Sequence, residues 1–155
     1  MKTWICLIGL AASLGAAVAT SGWTAVAQTR DPRTVKELMK EDIAPAADVI
    51  FNYVAIDVTL AGVVENAPKT DAEWAEVRKS AVALADSGAQ LKAQGRGREY
   101  DKLAQEMTDA ALLARRAADT RNVSRLRAAE QAMNAACENC HQKYWPRSDQ
   151  QPNGR

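Results

Sequence analysis

From residue 31 onward apolar side chains recur every three or four positions, and this 3.6-residue period limits what the chain can become more than any other feature. The first stretch runs from Asp31 to about Ile56. Asp31 is placed to cap it and Pro32 to occupy its first turn, and Val35, Leu38, Met39, Ile43, Ala46, Val49, Ile50 and Tyr53 share one face. Pro45 falls inside it, where a missing N–H and a crowded preceding turn predict a kink or local break. Gly62, Asn66 and Pro68 then mark a loop.

The second helix opens on the capping box Thr70-Asp71-Ala72-Glu73 and carries Trp74, Val77, Ala81, Leu84, Ala85 and Leu91 down to the Gly95-Arg96-Gly97 stop. A third is expected from about Glu99 to Asp119, with Tyr100, Leu103, Met107, Ala110, Ala111, Ala114 and Ala118 on one side. The fourth begins near Asn122, carries Val123, Leu126, Met133 and Ala136, and reaches Tyr144 before Pro146 ends it. No segment reads as a strand. Four amphipathic helices of about 20 residues, each near 30 Å long and joined by short connections, predict an all-α, antiparallel up-and-down four-helix bundle.

The fourth helix ends on Cys137-Glu138-Asn139-Cys140-His141. On a helix these three side chains stand at i, i+3 and i+4 and project from one face, so all three can bond to one planar ligand. Two cysteines and a histidine at this spacing are the attachment signature of one covalent haem c: Cys137 and Cys140 form the thioethers and His141 ligates the iron. The competing readings lack parts. A structural zinc site needs about four ligands, and His141 is the sole histidine. A thioredoxin-like dithiol wants a βαβ context. A disulfide between Cys137 and Cys140 would close too small a loop to stabilise much and leaves His141 unexplained.

In bacteria such haem attachment happens outside the cytoplasm, and the N-terminus reads as an export signal. Lys2 precedes an apolar stretch from Trp4 to Ala19, and Ala25-Val26-Ala27 fits the small-x-small cleavage rule. Residues 1–27 are thus expected to be a cleaved secretory signal peptide, taking Cys6 with them. Residues 28–146 are expected to form the four-helix, haem-bearing domain, and the polar segment 147–155 is expected to be disordered. Ser13, Gly15, Thr20, Ser21 and Gly22 interrupt the apolar run and count against a membrane anchor. Cleavage removes Lys2 and no acid, so 20 basic and 19 acidic residues become 19 of each, and nucleic acid is an unsuited partner. The 128 residues left hold only six aromatic side chains (Phe51, Tyr53, Trp74, Tyr100, Tyr144, Trp145) against helix faces dominated by alanine. A haem would supply the missing bulk; alanine's helix propensity is the alternative account.

An N-terminal helix bearing a candidate ligand, an alanine-rich bundle and a Cys137-x-x-Cys140-His141 motif near the C-terminus resemble the class II c-type cytochromes, the cytochrome c-prime group. The resemblance covers essentially the whole chain after the signal segment. It implies one of two iron environments. Low-spin members place a methionine from helix one on the iron, and five-coordinate members leave that face open to small gases. Of the three methionines after the signal segment, Met133 shares a helix with His141 and Met107 lies midway along helix three, whereas Met39 falls where the low-spin group has its ligand. Met39 is therefore the candidate sixth ligand, with ordinary core filling as its alternative role. One departure weakens a gas-binding role: the c-prime pattern His-x-x-aromatic-Arg appears here as His141-Gln142-Lys143-Tyr144-Trp145, with Trp145 where the arginine belongs.

These readings together predict a periplasmic monohaem cytochrome that carries single electrons between soluble or membrane-associated redox proteins through His141/Met39 ligation. The alternative is a five-coordinate protein that binds NO or CO. Enzymatic turnover is not expected, because the chain offers no distal histidine or acid–base pair near Met39. A homodimer through helices one and two is implied by the resemblance alone. Arg115, Arg116, Arg121, Arg125 and Arg127 cluster near one turn and Glu37, Glu41, Asp42 and Asp48 on helix one; both read as solvated faces.

Overall fold

A computed structural model describes residues 33–145. The expected signal segment, Asp31, Pro32, Pro146 and the polar segment after it lie outside the described residues. Four helical rods pack against one another. The first is composite: α1 (Val35–Leu38), a π-helical turn (Met39–Ile43) and α2 (Ala44–Asn52) follow without a break. A β-hairpin comes next, β1 (Ile56–Thr59) and β2 (Gly62–Glu65), and then α3 (Asp71–Lys92), α4 (Arg98–Asp119) and α5 (Val123–Tyr144).

Local chemistry sets the boundaries. Thr34, rather than Asp31, caps α1: its Oγ1 accepts from the Glu37 N–H at 3.2 Å, and the Glu37 carboxylate accepts from the Thr34 N–H at 2.8 Å. The reciprocal box holds two orphan donors at once. Thr70 and Glu73 repeat it at α3, and the Asn122 side chain caps α5 by accepting from the Arg125 N–H at 2.9 Å. Pro45 does not break the first rod. The turn before it widens to π geometry, with the Ala44 N–H donating to the Met39 carbonyl, so the proline ring is accommodated within a continuous helix.

The rod ends at Asn52, not near Ile56, and the expected loop contains a hairpin, so the absence of strands is corrected here. Ile56, Val58 and Thr59 are β-branched, as are Val63 and Val64. Gly62, at φ +132°, starts the return strand after the two-residue turn at Leu60-Ala61. The pairing is antiparallel, Ile56 to Glu65 through Thr59 to Gly62. All eight strand residues are exposed, and Arg127 fastens the hairpin's base with an ion pair to Glu65 at 2.7 Å.

Leu38, Ile50, Val77, Leu84, Leu126 and Met133 are the large, fully buried members of the core, each contributing about 1.5–3 kcal/mol by leaving water. Alanines do the rest. α4 buries Ala104, Ala110, Ala111, Ala114, Ala117 and Ala118, so α3 and α5 can both approach it closely. α3 approaches α4 closely at Gly88, where an added Cβ would run into Thr108 Oγ1 and lie 3.2 Å from the Ala104 carbonyl oxygen.

Candidate functional site

At one level of the molecule the alanines leave space. Ala44 and Ala47 of α2, Ala104 of α4 and Ala136 of α5 line a cavity of about 190 Å³, between bulkier walls that include Phe51 and Leu91. A cleft of about 720 Å³ shares its Met39, Ala44, Tyr100, Cys140 and His141 walls. Methyl-sized side chains cannot fill the gap between rods held apart by leucines and aromatics, so the space follows from the sequence.

α5 delivers Cys137, Cys140 and His141 to this space, and the first rod delivers Met39. Residues about a hundred positions apart in the chain thereby line one cavity. Met39 is also the first residue of the π turn, a distortion that often marks functional positions in helices. Met107 lines the same cavity, although its mid-helix position had counted against it. Met133 is fully buried and lines neither space.

Cys137 and Cys140 are not bonded to each other, and both are partly buried. Burial pushes each thiol up from its ordinary pKa, and for Cys140 the nearby Arg96 guanidinium pulls in the opposite direction. The His141 ring meets the Trp145 ring edge-on at 4.6 Å, and Tyr144 meets Tyr100 edge-on at 5.2 Å. Trp145 therefore does share the His141 side of the helix. Among the described residues no group of three or more His, Cys, Asp and Glu side chains is placed to hold a bare metal ion. No helix among them is long and apolar enough to cross a membrane.

Two wall residues carry more than the sequence indicated. Tyr100 is 2% exposed, and its hydroxyl is buried without a hydrogen-bond partner. Burial pushes its phenol pKa up, with Arg96 opposing. Arg96 stacks its guanidinium 4.8 Å from the Tyr100 ring centre and 5.5 Å from that of Tyr144. In the sequence Arg96 was only the middle of a Gly-Arg-Gly stop. The positive φ angles of Gly95 (64°) and Gly97 (102°) give that turn its shape, a signal visible only as two glycines. The arginine-rich turn is tied to the chain itself, through Arg121 to Asp71 at 2.9 Å and Arg127 to Glu65.

The residue types present are compatible with a haem: the lining is mostly apolar with Asp48 among it, two cysteines and an imidazole stand on one helix along its wall, and the buried Tyr100 hydroxyl would offer a polar contact. No known family model, curated protein or solved structure matches the chain.

Proposed function

We propose that the chain is a periplasmic monohaem c-type cytochrome of the class II kind, an electron carrier rather than an enzyme. The observation that carries this reading is the cavity that brings Met39 to Cys137, Cys140 and His141. The short connections at residues 93–97 and 120–122 join helices that pack on each other, which supports an antiparallel up-and-down arrangement of the four rods.

Cys137 and Cys140 would hold the haem by thioether bonds, His141 would ligate its iron from α5, and Met39 would ligate it from the first rod. The bound group supplies a one-electron ferric/ferrous couple. The protein's part is to tune it. Ligation by Met39 together with His141 would raise the potential of the bound group, and the alanine, leucine and phenylalanine side chains of the cavity would limit water around it. Attachment through Cys137 and Cys140 on one helix would hold the group in place and so limit the reorganisation that electron transfer demands. Soluble or membrane-associated redox proteins of the same compartment are the expected partners.

The test is spectroscopic. Protein made with the haem-attachment machinery present should show a covalent c-type haem by its pyridine haemochrome, and replacing both cysteines by alanine should abolish it. Haem retained in that double variant contradicts the attachment. Rapid CO binding by the ferrous wild type would support the five-coordinate gas-binding alternative instead.

A further inference from the structure

Lys36, Lys40, Arg96 and Trp145 frame the open side of the shared cleft, and no carboxylate lines it. From this, and resting on the electron-carrier reading above, we propose that this mouth is the docking surface for a redox protein whose own contact face is rich in carboxylates.

Charge is the first argument. Lys36, Lys40 and Arg96 are exposed, and none of them pairs with a carboxylate among the described residues. Of the acids closest in sequence, Glu41 stands 4.0 Å from Arg33 and Glu99 pairs with Lys143, while the Glu37 carboxylate is held in the Thr34 capping box and keeps its charge. The whole chain is nearly neutral, at +1, so three unpaired cations at one mouth are a local feature and not an expression of net charge. Such local complementarity chiefly raises the rate and specificity of encounter.

Preorganisation is the second. Lys36 and Lys40 are four residues apart on the first rod, so they share a face on either side of Met39 in the chain. Arg96 is held against two aromatic rings by cation–π contacts, so a partner carboxylate meets a guanidinium that has already lost much of its freedom. Proximity to the iron is the third. Trp145 is 42% exposed and its ring touches that of His141, so a partner seated here lies one aromatic ring from the proximal ligand. Aromatic side chains and arginine are also the residue types enriched at interface centres.

The test uses haem-loaded protein and two gold electrodes, one coated with a carboxylate-terminated thiol monolayer and one with an amine-terminated monolayer. On the carboxylate surface the wild type should give a reversible voltammetric wave that weakens as sodium chloride is raised, and on the amine surface it should give little or none. The triple variant K36E/K40E/R96E should lose about tenfold or more of the carboxylate signal. K79E/R116E/R125E, an equal charge change at exposed positions that do not line the cleft, should keep it. A salt-independent wave, equal waves on the two surfaces, or a control triple that loses as much as the first overturns the proposal. Salt-independence would mean that the haem's own carboxylates neutralise the three cations. Haemochrome content of each sample separates the two levels: protein without haem removes the electron-carrier reading and the docking face together, whereas haem-loaded protein with a salt-independent wave removes the docking face alone.

Discussion

Gly88→Ala is expected to destabilise the bundle although it improves helix propensity. Alanine in place of glycine inside a helix is worth about 1 kcal/mol in its favour. Here the new methyl would enter the space of Thr108 Oγ1 and stand 3.2 Å from the Ala104 carbonyl oxygen, a backbone atom that cannot yield without moving α4. Relief requires Thr108 to change rotamer, which breaks its 2.9 Å hydrogen bond to that same carbonyl and forfeits about 0.5–1.5 kcal/mol. Overpacking of this kind costs about 1–3 kcal/mol, so the net loss should be about 1–2 kcal/mol, or roughly 4–8 °C in Tm. In a Thr108→Ala background the hydroxyl is gone, and the same substitution should fall within about 0.5 kcal/mol of neutral. Urea denaturation of the four proteins, followed by far-ultraviolet circular dichroism, measures the cycle. Stabilisation by Gly88→Ala alone, or a coupling near zero, would refute the close α3–α4 packing from which this is reasoned.

Thr70→Ala removes the acceptor for the Glu73 N–H at the start of α3 and should cost about 1 kcal/mol, read as a lower urea midpoint at unchanged m value. The Tyr53 hydroxyl donates to the Glu76 carboxylate at 2.7 Å, and that bond is the main cause of a phenol pKa pushed up to about 12. The bond favours the protonated phenol, so its stabilising effect is present below the ordinary value of 10 and is lost as pH rises toward 12. In Glu76→Gln the Tyr53 phenolate absorbance should appear at lower pH. An unchanged titration would remove that cause. In the hairpin, Val58→Lys with Val63→Thr should leave stability within about 0.5 kcal/mol of wild type, because both side chains are more than half exposed. A larger loss by thermal melting would mean that the strands are packed against something.

The three long helices were legible because their signals are local. Thr70 with Glu73 opens α3, Asn122 opens α5, and the alanine stripe of α4 keeps a 3.6-residue period over 22 residues. The placement of Cys137, Cys140 and His141 together on one helix was legible for the same reason, since their spacing is set within one helical turn. What failed depended on competition between neighbouring signals. Asp31-Pro32 and Thr34-x-x-Glu37 both advertise a helix start, and in the structure the reciprocal box at Thr34 is the cap. Ile56 extended the period of the first helix, which hid the β-branched run from Ile56 to Thr59 and its return at Val63-Val64. Arg96 and Tyr100 escaped as site residues because their role depends on where a turn and a helix start meet α5, and no spacing within the sequence encodes that meeting.

Met107 shares the cavity with Met39, so the identity of the sixth ligand is the point on which the account turns. The ferric absorption and electron paramagnetic resonance spectra of haem-loaded wild type, Met39→Ala and Met107→Ala test it directly. A low-spin wild type, a high-spin Met39→Ala and an unaltered low-spin Met107→Ala are predicted. A high-spin wild type, or low-spin ligation that survives loss of Met39, would contradict the account.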